Sequence, residues 1–405
     1  MKVLFISPHY PEEMQDFTRG LAEVGAQVYG VGDTPRGSLP AKVQRHIRDY
    51  LQVPGLFQED DALQRIVAAA RRLGVDRVEC LWEPCILLAA RVREALGLPG
   101  MLPDVAIGFR DKPIMKERVA AAGLRVPHFA RVRTAAEALA AAAEIGYPVI
   151  VKPIAGAGTA DTYRADDPAE LRGVLGAVGH HAEINLEEFI DGEEFTYDTV
   201  CIDGAPVFES VAQYHPKPLE GRNNEWITPA QIVFRDPYQP VLRDGIELGR
   251  GVLKALGMDT GFTHMEWYRK PDGEVVFGEI GARSPGGKLV DQMNFANDFD
   301  LYREWARTVC WRSFDARPHR RYHVAALFKR AEGTGRIRRV EGVDEIRNRL
   351  GDSLVVSDIL PIGHPRRDWK QTLLSDGFMI LRHPEYRECM ARMNFAINHL
   401  RIWAG

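Results

Sequence analysis

The stretch Val149-Ile150-Val151-Lys152-Pro153-Ile154-Ala155-Gly156-Ala157-Gly158-Thr159 decides how this chain is to be read. Its first five residues form an apolar run with a single lysine, the length and composition of a short buried strand. A lysine at the end of such a strand is costly to bury unless it meets an anion; otherwise it snorkels its ammonium to the surface. The six residues that follow hold two glycines, Gly156 and Gly158, among small neighbours. Such a loop lets backbone N–H groups come close to phosphate oxygens, with Thr159 as a further donor, although an isolated Gly-x-Gly is also an ordinary turn. No Gly-Lys-Ser/Thr follows, so this is not a P-loop. A lysine strand running directly into a small-residue loop points to a nucleotide phosphate site.

Downstream lies Glu187-Glu188-Phe189-Ile190-Asp191-Gly192-Glu193-Glu194, between two expected strands. A bend at Asp191-Gly192 can present the backbone of Glu188 and Ile190 edge-on to a purine. Glu187 can then accept from its exocyclic amine and Glu194 from ribose hydroxyls; a solvated acidic turn has the same composition. Farther on, Phe262–Arg269 and Glu274–Ile280 read as strands joined by Lys270-Pro271-Asp272-Gly273. With two or four loop residues, Glu266 lies opposite Phe277, and Glu279 sits diagonally on the same face. A bulged three-residue turn alters that register. Two carboxylates side by side are unfavourable without a cation between them, and Mg²⁺ takes hard oxygen ligands of this kind. Arg283, in Ala282-Arg283-Ser284-Pro285-Gly286-Gly287, is placed to stabilise charge on a transferred phosphoryl group.

Upstream, the runs Val3–Ile6, Val28–Val31 and Val78–Leu81 alternate with helical spacings at Met14, Phe17, Leu21, Val24 and at Leu63, Ile66, Val67, Ala70. This alternation predicts a doubly wound parallel sheet over about the first hundred residues. The turn after Ile6 lacks GxGxxG, which disfavours a dinucleotide site and a simple oxidoreductase. From Asp111 the pattern restarts, with helices over 111–122, 134–145 and 241–256. Asp203-Gly204 marks a two-residue hairpin, and a last helix is expected near 385–400.

Composition narrows the function classes. A chain of 405 residues, 27% charged with a formal net charge of −4, presents no basic face for nucleic acid. Five scattered cysteines without metal spacing read as reduced, buried thiols. The longest run of low polarity, 135–151, is interrupted by Glu137, Glu144, Gly146 and Pro148, and the first residues are too short a run for a signal segment. A cytoplasmic protein without membrane contact is the expectation.

Taken together these segments resemble the ATP-grasp superfamily, and most closely its L-amino-acid ligases and related carboxylate–amine ligases. Arg110-Asp111-Lys112-Pro113, Lys116 and Gly123-Leu124-Arg125-Val126-Pro127 resemble the family's approach to the nucleotide. The resemblance implies that Lys112 contacts phosphate, that Lys152 lies beside adenine and the α-phosphate, and that 155–162 is the glycine-rich lid. It further implies that Glu187, Phe189, Ile190 and Glu194 form the hinge for adenine and ribose, that Glu266 and Glu279 hold Mg²⁺, and that Arg283 binds phosphate and the acyl phosphate. The implied organisation is a Rossmann-like pre-ATP-grasp domain over 1–105 and an ATP-grasp domain over 106–314, with its lid subdomain at about 125–195. An α/β region over 315–405 packs on the grasp domain. One departure is Gly281, where many relatives carry Asn as a further metal ligand.

The implied chemistry is transfer of the ATP γ-phosphoryl group to a small-molecule carboxylate, followed by displacement of phosphate by an amine. The rivals are a small-molecule kinase, a carboxylating enzyme, or a nucleotide-binding regulator without turnover. The aperiodic segment 213–229 is expected to border the carboxylate or amine site as a loop, with His215, Lys217 and Arg222 as candidates for gripping the substrate. A homodimer is the expected assembly. His9, after the first strand, is read as structural.

Overall fold

The computed structural model describes residues 1–156, 161–372 and 374–405; Gly158 and Thr159 lie outside them. Four strands open the chain: β1 (Lys2–Ile6), β2 (Gln27–Gly32), β3 (Asp49–Gln52) and β4 (Arg77–Cys80). They pair in parallel in the order β3-β2-β1-β4. Alternate residues of β1 enter two different cores, as a strand buried on both faces must do. Val3 and Phe5 pack with Met14, Phe17 and Leu21. Leu4 and Ile6 pack on the other side with Ile66, Ala70 and Leu88. This is the doubly wound arrangement read from the sequence.

A second, antiparallel sheet holds β5 (Phe129–Val132), β6 (Val149–Pro153), β7 (Tyr163–Ala165) and β8 (Ile184–Glu188), in the order β5-β8-β6-β7. The helices Ala135–Ile145 and Pro168–Ala177 supply Ala138, Ala142 and Leu171 to the core on this sheet. Each helix starts at a side-chain cap that satisfies free backbone donors: Thr134 accepts from the Glu137 N–H, and Asp167 from those of Ala169 and Glu170.

The largest sheet begins with β9 (Glu193–Ile202), β10 (Ala205–His215), β11 (Ala230–Val233), β12 (Gly261–Arg269), β13 (Val275–Gly281) and β14 (His323–Lys329). Asp203 and Gly204, at φ 51° and 78°, make the tight turn between β9 and β10, the left-handed pair that a two-residue hairpin requires. After β15 (Glu332–Gly333) and β16 (Ile337–Glu341), the strands β17 (Leu354–Ile359) and β18 (Gly377–His383) rejoin this sheet. A last strand, β19 (Arg401–Ala404), pairs with β15 and β16. The large sheet then runs β13-β12-β9-β10-β11-β14-β18-β17. Strands on both sides of residue 315 therefore share one hydrogen-bonded sheet, a closer union than two packed regions.

The helix Arg243–Leu256 lies directly on this sheet. A Cβ on Gly245 would come within 2.3 Å of Trp267, and one on Gly249 within 2.2 Å of Tyr197. These two glycines, four residues apart, bring the helix backbone down onto the rings and fix the layer behind β12. The final helix spans Tyr386–His399. All five cysteines are free and buried. Among the described residues no helix is long and apolar enough to cross a membrane.

Candidate active site

The small sheet and the large sheet meet around a cavity of about 340 Å³, within the size range of small-molecule sites. Its walls are Ile150 and Lys152 of β6, Glu187 of β8, and the hinge Phe189–Asp191. The large sheet adds Glu194, Glu266, Tyr268 and Glu279, and Lys112 and Gly156 close one side.

Glu187 is almost wholly buried between two lysines. Lys116 Nζ lies 2.7 Å from one of its oxygens and Lys152 Nζ 2.9 Å from the other, and the Asn185 amide donates to it as well. Burial opposes its ionisation, but the two ammoniums outweigh burial and hold its carboxyl below the ordinary range. Burial depresses Lys116 despite Glu187, whereas Glu187 and Glu279 more than offset the burial of Lys152 and hold it charged. Glu187 thus stands in the cavity wall as the counter-ion of two lysines, in addition to facing the space where a purine was expected.

The Glu188 carboxylate turns to Arg125, at 2.9 and 3.0 Å, and accepts the His128 N–H. Its own N–H donates to the His128 carbonyl, and the Phe189 N–H to that of Pro148. Among the described residues the Ile190 N–H has no hydrogen-bond partner. The Phe189 ring lies under the Arg164 guanidinium at 4.2 Å. Gly192 is required where it stands, because a Cβ there would lie 2.6 Å from the Arg269 carbonyl. Glu194 is buried with no ion pair among the described residues; burial and the neighbouring Glu266 push its carboxyl well above the ordinary range.

Glu266 faces Glu279 directly across β12 and β13, while Trp267 pairs with Phe277. The expected register, Glu266 opposite Phe277, is therefore corrected. A bulge between Glu266 and Trp267 leaves Gly278 as the extra residue, so the strands shift by one without turning either carboxylate away. A Cβ on Gly278 would lie 2.8 Å from the Glu266 carbonyl. Tyr214 donates to Glu266 at 3.3 Å. His264 sits 3.8 Å from the same carboxylate through Nε2 and pairs with Asp198 at 2.6 Å through Nδ1. Lys112 Nζ is 3.3 Å from Glu279 and donates to the Gly156 carbonyl at 3.0 Å. Burial works against ionising Glu279, but Lys112, Lys152 and Lys116 bring its carboxyl down to about 2. Two carboxylates directly opposed, with no cation between them except from one edge, form a donor set that fits Mg²⁺.

Arg283 opens into a small recess beside this pair, with Lys112, His264 and Glu279. Its Nε donates to Glu83 at 2.6 Å, and Arg110 donates to the other Glu83 oxygen at 2.6 Å. Glu83 comes from the parallel-sheet part of the chain. A Cβ at Gly281 would lie 3.2 Å from Arg283 Cγ and 3.8 Å from Glu83, so the missing side chain leaves room for this pair.

Of the three substrate candidates, Lys217 lines the cavity and donates to Asp191 at 3.0 Å. His215 and Arg222 are not among the lining residues. His215 Nε2 is buried without a hydrogen-bond partner among the described residues. Arg222 belongs to a helix, Pro218–Asn223, within the segment expected to be a loop; that helix turns Leu219, Glu220 and Asn223 toward the cavity. His9 bonds to Thr34 at 3.0 Å. Sequence reasoning put Lys116 in the approach to the nucleotide without a role of its own, and assigned none to Glu83, Tyr214, Tyr268 or the Asp198–His264 pair. Lys116 lies four residues after Lys112 on one helix face, and His264 two before Glu266 on one strand face, so spacing pointed to both. Nothing local marked Glu83.

Residues 111–194 match the family described as "Carbamoyl-phosphate synthase L chain, ATP binding domain". The chain is 27% identical over 297 residues to the L-arginine-specific L-amino acid ligase of Bacillus subtilis, covering 71% of this chain and 70% of that protein. It is 26% identical over 277 residues to the alanine–anticapsin ligase of Bacillus subtilis (strain 168), covering 62% and 58%. The crystal structure of an L-amino acid ligase from Bacillus licheniformis superposes with a TM-score of 0.77 over 100% of this chain and 99% of that one, at 21% identity. With the two sheets closing on a lysine-lined cavity, these likenesses make the chain similar to ATP-grasp carboxylate–amine ligases, and its fold is that of the Bacillus licheniformis L-amino acid ligase.

Proposed function

We propose that this chain is an ADP-forming ligase that joins the carboxylate of an amino acid to an amine through an acyl phosphate. The observation that carries the reading is the direct opposition of Glu266 and Glu279, ringed by Lys112, Lys152 and Arg283. The unpartnered Ile190 N–H and the Glu188 carbonyl offer a donor and an acceptor for a purine edge. Glu194, poised to accept hydroxyls, suits the ribose. Lys152 and Lys112 face the phosphates, the latter reaching the Gly156 end of the lid. Gly158 and Thr159, outside the described residues, remain the proposed remainder of that phosphate cradle.

Glu266 and Glu279 would hold Mg²⁺, which neutralises phosphate charge and orients the transferred group when bound. Arg283, held by Glu83, points its remaining donors at the oxygens of the phosphorylated carboxylate. The γ-phosphorus–oxygen bond of ATP breaks as the substrate carboxylate oxygen bonds to phosphorus. The amine then attacks the acyl carbon, loses a proton and expels phosphate. Lys217, on the cavity wall beside Asp191, is the proposed substrate contact; His215 and Arg222 are not proposed for it.

The test measures ADP and phosphate release with Mg²⁺-ATP across paired panels of amino acids and amines, omitting each component in turn and reading products by mass spectrometry. Release that needs both partners, with a product lighter than their sum by one water, supports the ligase. A stable phosphorylated product, bicarbonate dependence, or bound ATP that is never consumed would each sink it.

A further inference from the structure

Away from the nucleotide cavity, the connection before β7 and the turn after the helix Pro168–Ala177 bring three side chains together: Asp161, His180 and His181. His181 Nε2 lies 3.1 Å from Asp161 Oδ2 and His180 Nε2 lies 3.3 Å from the same oxygen. The imidazole centroids are 4.0 Å apart. One ligand atom from each residue falls within 4.8 Å of the other two.

We infer that Asp161, His180 and His181 form a binding site for a divalent transition metal of the Zn²⁺ class. Metal–ligand bonds of about 2.0–2.2 Å in tetrahedral array put neighbouring ligand atoms about 3.3 Å apart, which is the spacing found between the carboxylate oxygen and each imidazole nitrogen. Two imidazoles and one carboxylate are the donor set of borderline ions such as Zn²⁺, Co²⁺ and Ni²⁺, and suit neither Mg²⁺ nor Ca²⁺. The site is separate in place and in ligand chemistry from Glu266 and Glu279. Asp161 directly precedes Thr162, which lines the nucleotide cavity. A bound ion would therefore fasten one part of the cavity wall to the end of the helix Pro168–Ala177. Solvent reaches all three side chains, leaving the remaining coordination positions to water.

The test titrates the metal-free full chain with Co²⁺, following its visible absorption, and with Zn²⁺ by calorimetry, both in excess Mg²⁺. The expected result is one equivalent of Co²⁺ with the intense bands of a low-coordinate imidazole-bound ion. Asp161→Asn and His181→Ala should each weaken binding at least about tenfold, while His46→Ala, at a surface histidine elsewhere, should leave it unchanged. All three positions are solvent-accessible, and circular dichroism checks that the variants remain folded. Absence of stoichiometric binding to the wild-type chain, or binding that both ligand variants retain in full, would overturn the inference.

Discussion

Glu266 and Glu279 stand opposite one another across two adjacent strands, and a single extra residue, Gly278, makes that possible. Glu279→Gln removes one charge from the pair and the partner of Lys112. Turnover should fall by about 10²-fold or more, a loss typical of a group acting on developing charge. The thermal midpoint should move by only a few degrees. Phosphate release and thermal unfolding measured side by side check this, and wild-type turnover in the variant would count decisively against the metal-ligand role.

Glu187 carries the opposite kind of burden. Replacing it with Gln strips Lys116 of its ion-pair partner and leaves Lys152 only the charge of Glu279. Unfolding free energy should drop by about 3–5 kcal/mol, read from urea denaturation. A Glu187→Leu/Lys116→Met double variant should recover much of this, since it removes a charge of each sign together. Equal losses in the single and double variants would show that the triad does not act as a unit.

The Asp198–His264 pair makes stability depend on pH. Burial alone would lower the His264 value, but the Asp198 carboxylate raises it from 6.5 to about 9. The folded value exceeds the unfolded one, so the stabilisation is complete below about 6.5 and is lost as pH rises through about 9. The wild type should lose about 3 kcal/mol across that window, and Asp198→Asn should flatten the profile. Denaturant midpoints taken between pH 6 and 10 would reveal a missing slope.

Burial and the neighbouring Glu266 raise the Glu194 carboxyl well above the ordinary carboxylate range, so its charge costs the ligand-free cavity. Glu194→Gln should therefore leave stability near neutral pH unchanged or slightly higher. The variant exchanges a carboxyl acceptor for an amide beside the ribose hydroxyls, and its affinity for ATP should fall about tenfold. Calorimetric titration of a non-hydrolysable ATP analogue separates the two effects, and unchanged affinity would remove Glu194 from the nucleotide site.

Gly281→Asn would place a side chain against Arg283 and Glu83. If Arg283 acts on the phosphorylated carboxylate, kcat should fall about tenfold or more with little change in the ATP KM. A variant with raised turnover would mean that an additional oxygen ligand outweighs the displaced arginine.

Much of this arrangement could be read in the chain. The alternating buried strands of the parallel sheet, the Asp203-Gly204 hairpin and the lysine strand before small residues each depend on local pattern. The pairing of Glu266 with Glu279 was half legible: alternation put both carboxylates on one face, but the bulge that aligns them is set by how closely Gly278 meets the Glu266 backbone. Glu83 was invisible because it acts 200 residues away along the chain. The short helix holding Arg222 was masked by its polar, aperiodic composition. Glu187 was read as a purine contact, and its role as counter-ion went unseen because Lys116 and Lys152 sit on other elements.

The interleaving of the large sheet limits how this chain can be cut or recombined. Because β14, β18 and β17 continue the sheet beyond β11, deleting the last ninety or so residues would strip β11 of a neighbour and bare its backbone donors and acceptors. Such a fragment should self-associate through the exposed edge. Exchange of tails between relatives should succeed only where the crossover carries β11 along with β14, so that the strand and its partner change hands as one unit.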